Sequence, residues 1–334
     1  MLTVTRSGAI STLMDLSVKP LALDALECRS IFQSRFWAEV KKQNFWNPLA
    51  FHFSMDGYCC DVLVLVRKFS FFSIAYIPMG FTHGVNEKHL TAFASGVRKY
   101  LPSSCIILRF DLDWSCTDSI ETKKLRKCRF SVQPLGTVRI DLSHDLSFKD
   151  RVKRNLKKEE GIVVRLWDGD EEVFSKWYDT YVHTALRDNF STRSYDYIRS
   201  IFSLKGLDVE PRLYIAYSDG EISGGIVNLR GKNEEVYLFG SSIKHTGNIS
   251  CGYVLQAEAI MRAKEDGVKV YDLFGIEGRG EENSHIASLT TFKTAFGGER
   301  TYRMPTLDYV YNPAGHVFRL VDSIRYKLAR RSRI

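Results

Sequence analysis

The sequence lacks the features of a secreted, membrane-spanning or metal-binding protein. Its seven cysteines include no C-x-x-C pair and no His/Cys cluster with zinc-ligand spacing, so we expect reduced thiols, no metal and a cytosolic protein. The N-terminus shows no basic leader followed by an apolar core, which predicts no signal peptide. The most apolar region, residues 62–81, is interrupted by charged residues and a proline, and it predicts two buried strands rather than a membrane span.

Other absences narrow the architecture and the chemistry. No Ser-His-Asp or Cys-His arrangement is evident, no long heptad run predicts a coiled-coil arm, and no low-complexity linker divides the chain. At 334 residues the chain is too long for one ordinary core. We therefore expect two domains packed together with a cleft between them, and a monomer.

Positive charge is in excess and is clustered along the chain. The net charge is +8, from 47 Lys and Arg against 39 Asp and Glu. This excess fits either a solvated basic surface or a polyanionic partner such as nucleic acid or an anionic membrane. The clusters lie at residues 123–129, 149–158 and 325–333.

The order of elements repeats in the two halves of the chain. Strand-like runs at 49–55, 60–67 and 71–77 precede a helical stretch at 87–100 and a strand at 105–110. In the second half, runs at 212–217, 222–229 and 236–241 precede a helix at 252–266 and a strand at 268–274. Asp56-Gly57 and Asp219-Gly220 supply the hairpin turns. This β-β-β-α-β order, present twice, predicts tandem GNAT-like domains of the α/β (α+β) class.

Four segments resemble the Fem family of peptidoglycan-bridge aminoacyltransferases, in the family's order along the chain. They are Tyr271-Asp272-Leu273-Phe274-Gly275-Ile276 with Phe292-Lys293-Thr294-Ala295-Phe296-Gly297-Gly298, then residues 154–164 (RNLKKEEGIVV), Phe36-Trp37-Ala38-Glu39-Val40-Lys41, and residues 186–193 (LRDNFSTR). Without a coiled-coil arm, the chain is most similar to the compact FemX-like members. It departs from the family pattern at three positions: Glu159 replaces an alanine, Gly161 comes early, and Asn189 replaces a glycine.

The resemblance implies a reaction, partners and a division of the chain. The reaction is transfer of a small amino acid (Gly, Ala or Ser) from aminoacyl-tRNA to an amino group of the stem peptide of a precursor, either UDP-MurNAc-pentapeptide or lipid II. It implies no cofactor, and a cytoplasmic enzyme that contacts the inner membrane face peripherally. The expected domains are residues 1–147 plus the C-terminal helix 311–334, and residues 148–310.

Lys293 is the leading catalytic candidate. A fixed ammonium can stabilise negative charge on the reacting ester carbonyl or on the leaving ribose oxygen. With Phe292 it also suits a terminal adenosine, which offers a stacking face beside a phosphate. The alternative is that Phe292 and Phe296 are core residues and Lys293 is a surface cation. Asp111 and Asp113, after the last strand of the first half, are candidate proton acceptors or structural caps.

Other candidates would bind the two substrates. For the precursor's phosphates and carboxylates we select Lys41, Arg187 and Arg193, with Tyr197 and Tyr237 adding hydroxyl contacts, although each also fits a surface or core role. For tRNA phosphates we select Lys153, Arg154, Lys157 and Lys158, and the 123–129 cluster as a second track. The apolar stripe of the final helix, Val317, Leu320, Ile324 and Leu328, is expected to dock on a domain, although its basic flank also suits an anionic membrane.

Two competing functions remain. An acyl-CoA N-acyltransferase of the same fold would need a Q/R-x-x-G-x-G/A loop, and neither residues 79–84 nor residues 244–249 fit that pattern. A non-catalytic nucleic-acid or membrane adaptor would not depend on Lys293.

Overall fold

The computed structural model describes residues 16–27, 30–116, 123–243, 251–280 and 286–331. Within these ranges it contains two seven-stranded sheets and eight α-helices. The strands are β1 Ser17–Leu21, β2 Asn47–Met55, β3 Tyr58–Lys68, β4 Ser73–Gly80, β5 Cys105–Leu112, β6 Arg126–Lys127, β7 Gly136–Asp141, β8 Val163–Leu166, β9 Glu210–Ser218, β10 Glu221–Arg230, β11 Glu234–Ser242, β12 Val270–Asp272, β13 Glu299–Tyr302 and β14 Leu307–Val310. The helices are α1 Arg35–Gln43, α2 Glu87–Val97, α3 Asp150–Lys158, α4 Glu171–Asp188, α5 Tyr195–Ser203, α6 Gly252–Glu265, α7 Ala287–Lys293 and α8 Pro313–Arg331.

The predicted repeat is confirmed. β2, β3 and β4 form an antiparallel meander, and α2 leads back to β5, which pairs parallel with β4. β9, β10, β11, α6 and β12 repeat this path. Both hairpin turns use an Asp-Gly pair with positive φ at each residue, 50° and 80° in the first half and 51° and 83° in the second.

The chain exchanges one strand between the halves, and the expected domain limits do not follow the sheets there. β7, expected in the first domain, pairs with β12 and β13 of the second sheet. β14, expected in the second domain, pairs with β5 and β6 of the first sheet. The observed orders are β1-β2-β3-β4-β5-β14-β6 and β13-β7-β12-β11-β10-β9-β8. Both strands are short, and their pairing depends on partners that are distant in sequence.

The central parallel pair opens in only one of the two sheets. In the first sheet β4 and β5 pair as far as the end of β4, where Gly80 faces Leu112, with an irregularity in register between Ile77 and Gly80. In the second sheet β11 and β12 pair only from Glu234–Val270 to Val236–Asp272. β11 then continues to Ser242, whereas the other strand ends at Asp272. The second sheet therefore contains a fork whose inner edge begins at Tyr237.

The two halves share a hydrophobic core. Phe32 and Trp37 from the first half belong to the same buried cluster as Phe174 and Trp177 from the second. Separate cores fill the rest of each half. Residues 62–81 lie largely in the buried strands β3 and β4, as predicted. Among the described residues, no helix is both long and apolar enough to span a bilayer.

α8 packs on the first sheet through a face other than the predicted one. Buried Ser323 and half-buried Phe318 lie on the packed face, and Arg319 bonds to Asp308 of β14. The predicted docking stripe points outward: Val317, Leu320 and Ile324 are 64%, 53% and 49% exposed. The expectation that this stripe docks on a domain is therefore wrong for these three residues, and the side chain of Leu328 lies outside the described residues.

Two of the departures from the family pattern have local structural explanations. Asn189, at the glycine position, ends α4 in the left-handed conformation with φ of 54°, which asparagine tolerates better than most residues. Glu159, at the alanine position, is buried and accepts a hydrogen bond from the amide of Val254 in the first turn of α6, at 2.7 Å.

Candidate functional site

Lys293 is buried at the mouth of the fork. Only 5% of the residue is exposed. Its Nζ donates hydrogen bonds to the carbonyl oxygens of Phe274 and Gly275, the latter at 3.0 Å, and lies 5.1 Å from the ring centre of Tyr237. Burial lowers the pKa of Lys293 to about 7, and the nearby Asp272 opposes this shift only partly. Lys293 therefore points into the structure, and the alternative of a solvent-exposed cation is wrong.

The carbonyl partner of Lys293 belongs to a residue that also contacts the first half. Phe274 has a φ of 45°, an uncommon conformation for a bulky residue. Its ring lies 5.3 Å from Phe32 and 6.2 Å from Trp114. Strained backbone conformations of this kind concentrate at functional sites. Lys293 is thus positioned directly at the junction of the two halves.

A second cationic group lies across the same junction. Lys41, on α1 of the first half, donates a hydrogen bond to the Tyr197 hydroxyl on α5 at 3.0 Å, and its Nζ lies 4.3 Å from the ring centre of Trp37. Burial, together with the charges of Arg193 and Arg67, lowers the pKa of Lys41 to about 7. In the described part of the chain, no carboxylate lies within salt-bridge distance of Lys41, Arg67 or Arg193. Three cations without a balancing anion form a site suited to phosphates.

A line of aromatic contacts connects the two cationic groups. Trp37, beneath Lys41, packs edge-on against Phe32 at 5.1 Å. Phe32 in turn contacts Phe274, whose carbonyl accepts from Lys293. The structure thus places five predicted residues in two groups at the junction of the halves: Lys41, Arg193 and Tyr197 in one, and Lys293 and Tyr237 in the other.

Arg187 has a structural role instead of the predicted anion-binding one. Its Nε and one Nη donate to Asp188 at 2.8 and 2.7 Å, and the other Nη donates to the carbonyl of Ser242 at 2.6 Å. These bonds fasten the end of α4 to the end of β11. The guanidinium fork that would grip a substrate anion is already occupied.

Asp111 is also excluded as a proton acceptor. Its side chain is fully buried in β5 and pairs with Arg303, which is equally buried, at 3.2 Å. The Tyr76 hydroxyl donates to it at 2.6 Å, and Thr306 donates to its other oxygen. Asp111 therefore joins β5 to the segment that leads into β14. The sequence indicated a strand-end carboxylate but not these partners.

Two other carboxylates are better placed than Asp111 to accept a proton. One is Asp113, which the sequence predicts, and the other is Glu234, which the sequence analysis does not identify. Asp113 is half-buried and lines a cavity of about 520 Å³ together with Ser30, Gln33 and other residues of the first half. Glu234 accepts a hydrogen bond from the amide of Ile31 at 3.0 Å and thus crosses the junction. Burial raises the pKa of Glu234 to about 7. The charges of Asp272 and Asp113 add to this shift, and the guanidinium of Arg139, 3.4 Å away, opposes it. A carboxylate with such a pKa can exchange a proton near neutral pH.

The predicted tRNA-binding residues form an exposed cationic face on α3. Lys153, Arg154, Lys157 and Lys158 are all exposed, while Val152 on the opposite side is buried. The helix begins beside the Lys293 segment, because the amide of Lys149 donates to the carbonyl of Ala295 at 3.1 Å. The N-terminus of α3 therefore lies in space beside the segment that follows Lys293.

Phe292 is partly committed to the core. Its ring packs edge-on against Tyr253 and Phe296, at 5.0 and 5.3 Å. The ring is half-buried rather than fully enclosed. Stacking of Phe292 on the terminal adenosine remains a prediction.

The fold and the fork define the class of protein. Two meanders, each followed by a helix and a parallel strand, make the chain a tandem GNAT-fold protein, as predicted. A family model described as an acetyltransferase (GNAT) domain matches residues 147–285. At this level the predicted fold class, tandem GNAT-like domains, is confirmed.

Particular relatives confirm the predicted Fem-type resemblance. A lipid II:glycine glycyltransferase from Staphylococcus saprophyticus subsp. saprophyticus is 27% identical over 109 residues, which are 33% of this chain and 26% of that protein. The match thus spans about a quarter of that relative. The crystal structure of FemX superposes with a TM-score of 0.71 at 16% identity, covering 89% of this chain and 96% of FemX. A tandem GNAT protein from the clavulanic acid biosynthesis pathway gives 0.51 at 13% identity, over 90% and 99% of the two chains.

Proposed function

We propose that this chain transfers an aminoacyl group from aminoacyl-tRNA to an amino group of the stem peptide of a peptidoglycan precursor. The observation that carries the proposal is the position of Lys293, a buried cation at the mouth of the fork and at the junction of the halves. The similarity to a lipid II:glycine glycyltransferase supports the acceptor class. The reaction proposed is acyl transfer without a covalent enzyme intermediate.

Lys293 would act on the ester. The acceptor amine attacks the ester carbonyl, a C–N bond forms, the ribose oxygen leaves, and the amine gives up a proton. An ammonium whose pKa lies near 7 can stabilise the oxyanion and can also donate a proton to the leaving oxygen. Asp113 or Glu234 would accept the proton from the amine, because Asp111 is fully buried and paired with Arg303. Because the ester is already activated, positioning and charge stabilisation suffice.

The two substrates would approach from different sides. The cations Lys41, Arg67 and Arg193 suit the precursor's diphosphate, with Tyr197 orienting Lys41. The exposed face of α3 suits the tRNA acceptor stem, because α3 begins next to the segment that follows Lys293. We expect the enzyme to work in the cytoplasm, at the inner face of the membrane when its acceptor is lipid-linked.

Acyl-CoA is disfavoured as a donor by the two places where a GNAT fold holds its pyrophosphate. In the first half, the amides of Thr82 and His83 already donate to Tyr58 and Ser115, at 2.9 and 3.0 Å. In the second half, the amide of Val254 in the first turn of α6 already donates to Glu159, at 2.7 Å, so it is not available to a pyrophosphate. The loop 244–249 lies outside the described residues.

One experiment tests the proposal directly. The protein is incubated with a mixture of charged tRNAs and a muramyl pentapeptide, and the product is weighed by mass spectrometry. We expect a mass gain of one amino-acid residue, lost in Lys293→Met and retained in the control Lys269→Met, whose lysine is exposed immediately before β12. Thermal stabilisation by acetyl-CoA, with no mass gain from any charged tRNA, would refute the proposal.

A further inference from the structure

An apolar stripe runs along the outer side of α8. Val317, Leu320, Val321 and Ile324 follow the spacing i, i+3, i+4 and i+7, so they share one side of the helix. They are 64%, 53%, 47% and 49% exposed. A surface helix normally turns such a stripe toward a core, but here the core-facing side is the opposite one. A contiguous exposed apolar surface of this kind marks an interaction site.

The turn between β3 and β4 continues this surface. Phe69 and Phe71 are exposed, Phe71 by 94%. Between them and α8, the ring of Phe72 contacts that of Phe318 at 5.6 Å. The aromatic turn and the helix thus belong to one surface of the first half, which we call the α8 patch: Phe69, Phe71, Val317, Leu320, Val321 and Ile324.

The surroundings of the α8 patch carry positive charge. Lys68 precedes the aromatic turn and Arg325 follows Ile324, and both are exposed. A cavity of about 160 Å³ beside Leu320 is lined by Arg129 and by Arg109 and Arg319, which share the single carboxylate of Asp308, so cations outnumber anions there. The 123–129 cluster lies here, since Arg319 donates to the carbonyl of Lys127 at 2.8 Å, and not beside α3. An apolar strip with a cationic rim complements a bilayer surface with anionic headgroups.

The α8 patch adjoins the cations at the junction of the halves. Strand register places Arg67 on the same face of the first sheet as Tyr76 and Arg109, and α8 lies over Arg109. The Arg67 guanidinium carbon lies 5.9 Å from the ring centre of Phe69 and 5.6 Å from that of Trp46. The amide of Trp46 in turn donates to the carbonyl of Lys41 at 3.1 Å. One continuous path therefore leads from the aromatic turn to Lys41.

We propose that the α8 patch docks this protein on an anionic lipid bilayer, with Phe69 and Phe71 inserted below the headgroups and α8 lying along the interface. Resting on the proposed function, this orientation sets the Lys41–Arg67–Arg193 cations just above the membrane plane. A diphosphate attached directly to a membrane-embedded chain could reach them there without leaving the bilayer. The acceptor is then the lipid-linked precursor rather than a soluble nucleotide-linked one.

Vesicle binding tests the docking surface without requiring catalysis. The full chain is sedimented with vesicles of phosphatidylcholine alone and with added phosphatidylglycerol. We expect binding to the anionic vesicles, weakened about tenfold or more by Leu320→Gln with Ile324→Gln, by Phe71→Ser alone, and by raised salt. Leu186→Gln, which removes a leucine of α4 that is 76% exposed, should bind like the unchanged protein. Because these positions are exposed, the unfolding temperature should stay constant in every variant.

Three results would overturn the docking proposal. They are equal binding by the patch variants and the unchanged protein, equal binding to neutral and anionic vesicles, and a dimer that the patch substitutions dissociate while no form binds vesicles. The last result would assign the α8 patch to a second copy of the chain.

Acceptor choice separates this proposal from the proposed function. Patch variants should retain transfer to a soluble muramyl pentapeptide and lose transfer to a lipid-linked precursor in vesicles. If no acceptor is modified but vesicle binding still depends on the α8 patch, the proposed function fails and the docking surface stands. If both acceptors are modified equally by all variants, the docking role in acceptor delivery fails and the transferase function stands.

Discussion

Replacing Lys293 by methionine should change how stability depends on pH. In the unfolded chain this lysine keeps its proton up to about 10.5, the ordinary value, whereas in the folded protein burial lowers its pKa to about 7. Between these two pH values the unfolded state carries the additional proton, so raising the pH favours the folded state. Lys293 thus makes stability rise with pH above 7 and adds no slope below it.

The change in the free energy of unfolding follows from the difference between the folded and unfolded pKa values of Lys293. One pH unit inside the window corresponds to about 1.4 kcal/mol, so between pH 7 and pH 9.5 the contribution reaches about 3 kcal/mol. Methionine has no proton to exchange. The free energy of unfolding of the unchanged protein minus that of Lys293→Met should therefore grow by that amount across this range. Lys41, with a similarly lowered pKa, is present in both proteins and cancels in the difference.

The assay is urea unfolding, followed by circular dichroism at half-unit steps from pH 6 to pH 9.5. Lys269→Met, at an exposed lysine, provides the control and should show a constant difference from the unchanged protein. If the Lys293→Met difference is also constant, Lys293 keeps its proton throughout and is not desolvated. The reasoning that links its burial to its chemistry would then be refuted.

Three further variants test other parts of the site. Arg303→Met leaves Asp111 buried without its cation and should cost about 3–5 kcal/mol of unfolding free energy in urea titrations, whereas a loss under about 1 kcal/mol would show that Asp111 does not need the pair. Tyr197→Phe removes the hydroxyl that accepts from Lys41 and should raise KM for the acceptor about tenfold at nearly constant kcat; an unchanged KM in steady-state assays would exclude that role. Changing Lys157 and Lys158 to Glu should weaken aminoacyl-tRNA binding and flatten its salt dependence by about one to two in log–log slope, measured by filter binding, and an equal slope would place the tRNA elsewhere.

The repeated core was predictable because its signals are local. Alternating apolar residues, two Asp-Gly turns and the periodicity of α6 each lie within a few positions of one another, and all mark elements that the structure contains. β7 and β14 carry no comparable signal. They have six and four residues, and their assignment to a sheet depends on partners far away along the chain.

The residues of the candidate site also fall into those that local sequence predicts and those that depend on partners far away along the chain. Motifs and residue chemistry predict Lys41, Tyr197 and Lys293. Lys41 and Tyr197 contact each other across the junction of the halves, and Lys293 lies at the same junction in a separate group. Asp111 was misjudged because Arg303, which neutralises it, lies 192 positions away. Glu234 was missed because its burial and its bond to Ile31 arise only when the halves pack together.

The strand exchange between the sheets makes the two halves interdependent during folding. Residues 148–310 expressed alone would lack β7, leaving β12 and β13 without the strand that joins them, and would carry β14 as an unpaired edge. The first half alone would lack β14, which joins β5 to β6, and would carry β7 without its partners. Neither piece can complete its own sheet, so the chain should melt in one cooperative step. A substitution that destabilises either half would therefore also change the relative positions of Lys293 and Lys41. The proposed site should be lost at the same temperature at which the chain unfolds.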